Sequence, residues 1–173
     1  LEAIASRIGE EGYAFPNLNV QPALDATHKT AALTVLVDPG KRIYIRRINF
    51  KGNMKTRDEV LRRELRQMEG GWYSTKNLKR SLTRLERLNY FDKVEVDTPR
   101  VPNADDQVDV NFSVVEKPLG EIMAGAGYAQ TEGFLLNASI TQDNFLGTGN
   151  RISTTFNNSQ VNTTYDFTYF NPY

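Results

Sequence analysis

Pro118 divides this chain into two stretches that follow different folding rules. After it come one base (Arg151) and four acids (Glu121, Glu132, Asp143, Asp166), whereas residues 1 to 118 carry twenty bases and seventeen acids. The formal net charge of zero therefore hides two unlike parts. Past Leu119 the sequence reads as a meander of strands. Phe134, Leu136, Ala138 and Ile140 alternate with Leu135, Asn137, Ser139 and Thr141, and Tyr165, Phe167 and Tyr169 with Thr164, Asp166 and Thr168. That period gives each strand two distinct faces. Such strands suit a wall with lipid outside and water inside. A soluble β-sandwich edge has the same period. No run of eighteen apolar residues exists, so no transmembrane helix is expected, but a membrane strand needs only about 9–11 residues.

Before Pro118 helices and strands mix. Residues 2 to 11 read as a helix that Gly12 ends. Leu1, Ile4 and Ile8 place the first residue already inside that pattern, so the chain is expected to be cut from a longer one. Strands are expected near 17 to 25 and 31 to 38, joined by a polar turn from Asp25 to Lys29 that holds His28, and closed by Asp38-Pro39-Gly40. Residues 42 to 51 form the next strand, with Ile43 and Ile45 on one face and Ile48 and Phe50 on the other. The parity switch means either a bulge or a change of partner face. Thr56-Arg-Asp-Glu59 has the form of a capping box, and Leu61, Leu65 and Met68 recur at helical spacing up to Gly70-Gly71. Ser74 caps a second helix with a Leu78, Leu82, Leu85, Leu88 stripe, which Asn89 ends in the left-handed region. Strands follow near 92 to 98 and 108 to 115, the latter alternating Val108, Val110, Phe112 and Val114 with Asp109, Asn111 and Ser113. Residues 42 to 116 thus read β-α-α-β-β. Gly12-Tyr13 with Val20-Gln-Pro22 resembles Asn89-Tyr90 with Val96-Asp-Thr-Pro99, so residues 1 to 40 look like the second half of the same module.

Chemistry is hard to place on this chain. There is no Cys and one His, so a transition-metal cluster is not expected. Gly125 and Gly127 lack the rest of a dinucleotide fingerprint, and Gly147-Thr-Gly149 lacks the lysine of a P-loop. The reading is a protein that is not an enzyme and takes no cofactor. Residues 41 to 90 hold fifteen Lys and Arg against five acids. A solvated surface explains such a run. Nucleic-acid binding would need aromatic or groove-reading partners on the same face, and none is evident.

The segment Gln142-Asp-Asn-Phe-Leu-Gly-Thr-Gly-Asn150 resembles the signature at the second and third strands of Omp85-type barrels. Tyr169-Phe-Asn-Pro-Tyr173 is similar to the strand end that follows in that superfamily. Gly52-Asn53, the Leu-rich second helix, Leu88-Asn-Tyr-Phe-Asp92 and Val94-Glu-Val96 resemble a POTRA module. The stretch from Leu61 to Gly70 is most similar to the last POTRA of the superfamily's outer-membrane assembly factors. Asn89 stands where the family commonly has Gly. The implied fold class is α+β: POTRA modules followed by the first antiparallel strands of an outer-membrane β-barrel. The implied division is 1–40, the C-terminal half of a preceding POTRA; 41–118, a complete POTRA; and 119–173, four strands of a barrel that needs many more.

The resemblance implies a place in a bacterial outer membrane with the POTRA part in the periplasm. It implies assembly and insertion of β-barrel proteins, with unfolded outer-membrane clients, accessory lipoproteins and outer-membrane lipid as partners and no nucleic acid. A polypeptide secretion pore of the same superfamily and a soluble periplasmic binding module are the rivals. Accessory docking maps to Arg62, Arg66 and Glu69, spaced to share one exposed helical face. The edge strand at Val94, Glu95 and Val96 could pair with an extended client, although Asp92, Lys93 and Asp97 are charges of the kind that protect edges. The seam of the barrel maps to the first strand, with Ile122, Gly125, Gly127 and Tyr128; each interior glycine weakens a strand by roughly 0.5–1 kcal/mol against Ala. The family's barrel motif falls on Asp143, Asn144, Gly147 and Gly149.

Overall fold

The computed structural model describes residues 1–25 and 30–173. The expected turn over 26–29, with His28, lies outside the described residues. The chain falls into two compact units. One holds Leu1–Lys51, Glu64–Arg87 and Val94–Ser113; the other holds Gly52–Arg63, Leu88–Lys93 and Val114–Tyr173.

In the first unit, helix α1 (Glu2–Glu10) leads through Gly12 into strands β1 (Asn17–Asp25) and β2 (Thr30–Asp38), which pair antiparallel from Asn17 opposite Asp38 to Asp25 opposite Thr30. Helix α3 (Thr75–Arg87) starts at Ser74, whose Oγ accepts the Asn77 amide at 3.4 Å, and is followed by Asn89 at φ 60°. Gly9 of α1 is buried against Thr75, where a Cβ would meet the Thr75 hydroxyl. Strands β3 (Tyr44–Lys51), β4 (Phe91–Asp97) and β5 (Gln107–Glu116) form a sheet in the order β3-β5-β4, with β3 parallel to β5. A parallel pair needs a long crossover, which the helical segment supplies.

The parity switch in β3 is a bulge. The register slips between Ile45 and Arg47, so Ile45 opposes Val108 and Ile48 opposes Val110. The extra residue, Arg46, turns Ile48 and Phe50 to the face that Ile45 already occupies, against the expectation of opposite faces. Ile43, Ile45, Ile48, Leu78, Leu85, Val108, Val110 and Phe112 are consequently all buried. Burying each such side chain stabilises by about 1.5–3 kcal/mol.

Two local expectations fail after Gly52. The first helix, α2, spans only Asp58–Arg62, and its N-cap is Arg57 without a side-chain cap. Thr56 forms no capping box. The helical stripe of Leu61, Leu65 and Met68 also dissolves: Met68 is 75% exposed while Glu64 and Gln67 are buried. Polar anchors replace the helix here. Ser81 Oγ accepts the Arg66 amide at 2.8 Å, Gln67 Nε2 donates to the Trp72 carbonyl at 2.8 Å, and Gln67 Oε1 accepts the Ser74 amide at 3.1 Å. Buried polar groups with such partners satisfy backbone that would otherwise need helical bonds.

The second unit carries the meander: β6 (Gly120–Ala129), β7 (Gly133–Phe145), β8 (Asn150–Asn158) and β9 (Thr163–Phe170), in the order β6-β7-β8-β9. The antiparallel registers set Ile122 opposite Ile140, Tyr128 opposite Phe134, Phe156 opposite Tyr165 and Thr154 opposite Phe167. Directly opposed residues share a face. One face therefore collects Ile122, Tyr128, Phe134, Leu136, Ile140, Phe156, Tyr165 and Phe167. The other is mainly polar, with Glu121, Asn137, Ser139, Thr141, Ser153, Thr155, Asn157 and Asp166 beside Met123, Leu135 and Phe170, and the Thr141 and Ser153 hydroxyls are bonded across it at 3.1 Å. The apolar face is exposed: Ile122, Tyr165 and Phe167 are 78%, 77% and 69% accessible. An exposed apolar face of this kind marks a surface that meets lipid or another protein.

Candidate functional site

The residues of the barrel motif gather at the turn between β7 and β8, and the turn is docked. Asn144 and Leu146 adopt φ of 51° and 52°, Gly147 and Gly149 of 72° and 82°. Such a run in the left-handed region needs holding. Asn144, 6% exposed, supplies much of the hold. Its Oδ1 accepts the Gly149 amide at 2.8 Å and its Nδ2 donates to Thr56 Oγ1 at 2.8 Å. The Gly147 carbonyl accepts the Arg57 amide at 3.0 Å, and Tyr90 donates to the Gly149 carbonyl at 3.1 Å. A Cβ at Gly147 would run into the Lys55 carbonyl, and one at Gly149 into the Arg63 guanidinium. Gly147 is thus required by close approach to backbone as well as by its backbone angle, and Gly149 by its backbone angle. Asp143 joins Arg151 on the neighbouring strand at 2.9 Å and steadies the base of the turn.

Beneath the turn, Glu116 at the end of β5 accepts the Lys55 amide at 2.9 Å and the Thr56 amide at 2.7 Å. Burial pushes this carboxyl upward, but the bonds from Thr56 and Lys55, with the Lys55 charge, outweigh it and hold the group below its ordinary range. Lys117 follows with its ammonium on Asn89 Oδ1 at 2.6 Å. Thr56, Tyr90 and Glu116 were not singled out as site residues in the sequence. Thr56 carried a signal of the wrong kind, a capping pattern whose hydroxyl serves Asn144 instead.

The two expected strand edges are present as outer strands. In the meander β6 stands at one end and pairs only with β7 among the described residues. Ile122 and Tyr128 lie on its apolar face. Gly125 opposes Asn137, whose amide would meet any Cβ there, while a Cβ at Gly127 meets nothing within 4 Å. In the other sheet, β4 stands at one end with Val94 and Val96 half-buried and Glu95 exposed. The opposite edge is occupied: the Ile45 amide donates to the Gly71 carbonyl at 2.9 Å, Tyr73 to Ile43 at 2.8 Å, and the Ile48 amide to Glu69 Oε1 at 2.8 Å.

Arg62, Arg66 and Glu69 do not share a helical face, since α2 stops at Arg62. Arg62 Nε bonds Asp58 one turn back at 2.7 Å, and Glu69 closes the edge of β3. Among the described residues no group of three or more His, Cys, Asp or Glu could hold a metal, and no helix is long and apolar enough to cross a membrane.

The sequence matches the POTRA family, described as surface antigen variable number repeat, over residues 43–117. It is 39% identical over 173 residues to the outer membrane protein assembly factor BamA of Neisseria meningitidis, covering 100% of this chain and 22% of that protein. The fold superposes on the crystal structure of Haemophilus ducreyi BamA lacking POTRA domains 1–3 with a TM-score of 0.87 and 39% identity, over 99% of this chain and 32% of that one. It is also similar to Haemophilus influenzae BamA POTRA3–5, with a TM-score of 0.62 and 37% identity over 66% of this chain and 45% of that one. The chain spans less than a quarter of the length of the curated relatives it matches. It belongs to the Omp85 superfamily of outer-membrane proteins, on the BamA-like side, and joins POTRA structure to the opening strands of the barrel sheet.

Proposed function

We propose that the protein to which this chain belongs assembles and inserts β-barrel proteins into the bacterial outer membrane, by strand pairing rather than by covalent chemistry. The observation that carries the reading is β6: a strand at the end of its sheet, with Ile122 and Tyr128 on the apolar face and Glu121 and Met123 on the other, which Gly125 and Gly127 leave without side chains. An unpaired backbone edge in hydrocarbon costs several kcal/mol per group. A client strand that pairs along β6 as it enters satisfies those groups at once, and bilayer thinning beside a short wall lowers the barrier further. In this reading residues 1–40 close a preceding POTRA, 41–118 form a complete one, and 119–173 open the barrel. The β4 edge at Val94, Glu95 and Val96 accepts extended clients on the periplasmic side by the same main-chain pairing. Arg62, Arg66 and Glu69 contribute to docking of an accessory lipoprotein.

Gly127 offers the cleanest test, because its side-chain position is open. Gly127→Val should raise the strand propensity of β6 and slow insertion of an unfolded client barrel into liposomes holding the full-length protein. An unchanged insertion rate would remove β6 from the mechanism.

A further inference from the structure

Helix α3 carries a groove of about 440 Å³ lined by Arg66, Lys79, Arg80, Thr83, Arg84 and Arg87. Of its five cations only Arg84 is neutralised, by Glu64 at 2.6 Å. No ion pair joins Arg66, Lys79, Arg80 or Arg87 to an acid among the described residues. The one acid within α3 itself, Glu86, does not line the groove. Four uncompensated cations around one concavity repel each other and favour an anionic occupant. We propose that this groove is a docking site for an extended, acidic segment of a partner protein, distinct from the strand edges and sharing only Arg66 with the accessory-docking residues.

Shape and chemistry select among anions. Three of the four free cations are arginines, whose planar forks match carboxylates in pairs. Lys79 and Arg87 lie on one face of α3, separated along the axis by about 12 Å at 1.5 Å per residue. Side chains four apart on an extended chain are separated by about 13 Å and point the same way. Acids at alternate positions of such a segment therefore reach both ends of the row. A single-stranded nucleic acid would call for stacking aromatics, and none lines the groove. No apolar side chain lines the groove to seat an acyl chain.

The test measures binding of a fluorescent ten-residue peptide alternating Glu and Ser to the full-length protein in detergent, at low and moderate salt. Arg80→Glu with Arg87→Glu should weaken binding at least tenfold. Arg47→Glu with Lys51→Glu, the same charge change on exposed β3 positions, should weaken it less than twofold. Arg80→Ala with Arg87→Ala should give an intermediate loss, with thermal unfolding unchanged. Equal losses from the groove and β3 pairs, or no loss from the groove pair, would overturn the proposal. So would groove-dependent binding of phosphatidylglycerol vesicles or oligothymidylate tighter than that of the peptide.

Discussion

Asn144 at the end of β7 reaches Thr56, 88 positions earlier, through a 2.8 Å bond from its amide nitrogen to the threonine hydroxyl. Its other amide atom closes the β7–β8 turn on the Gly149 amide. One buried carboxamide thus shapes the motif turn and ties it to the loop before α2. Asn144→Leu leaves the Gly149 amide and the Thr56 hydroxyl without their partner. A loss of about 1–3 kcal/mol per unsatisfied buried group is expected. Asn144→Asp keeps the acceptor for Gly149 and lets the Thr56 hydroxyl donate in return, so it should retain most of the stability. Urea midpoints of the three proteins in detergent check the order.

Gly147 is the second anchor. Its φ of 72° and the proximity of the Lys55 carbonyl both oppose a side chain. Gly147→Ala should lift the turn off the 55–57 loop and free the Arg57 amide, which now donates to the Gly147 carbonyl at 3.0 Å. Hydrogen exchange at Arg57 should then quicken at least tenfold while exchange in α3 stays unchanged.

Glu116 makes the docking dependent on pH. Its carboxyl is held below its ordinary range, so the folded state favours the ionised form. The stabilisation is present above the unfolded value of about 4.3 and is lost as pH falls through the lower folded value. The urea midpoint should be flat from pH 7 to about 5 and fall below that. Glu116→Gln should lower the midpoint at pH 7 and flatten that part of the acid limb. An identical acid limb in the variant would assign it to other carboxylates.

Much of this fold was legible because its elements carry strong periods. Leu78 and Leu85 on α3, the alternation along β5 and the meander of β6 to β9 all follow from side-chain spacing. The stretch from Thr56 to Gln67 was misread because polar side chains, not apolar spacing, hold it. Gln67 and Ser81 satisfy backbone groups over distances that a period cannot encode. The β3 bulge at Arg46 showed as a parity switch, but only the register with β5 resolves it. Resemblance located the motif residues Asp143, Asn144, Gly147 and Gly149 but not what they touch. Glu116 left no trace in the sequence, and Tyr90 showed only as part of the POTRA-like stretch Leu88–Asp92, since their partners are backbone groups distant along the chain.

In the proposed function, residues 119–173 form a wall with lipid on the face of Tyr165 and Phe167 and water on the face of Thr164 and Asp166. Nitroxide labels placed singly at these four positions, in the full-length protein reconstituted in liposomes, test it most directly. Labels at 165 and 167 should collide with dissolved oxygen and be shielded from a water-soluble nickel chelate, and labels at 164 and 166 should show the reverse. Equal accessibility at all four positions, or labels at 165 and 167 shielded from both reagents, would rule out a lipid-facing wall.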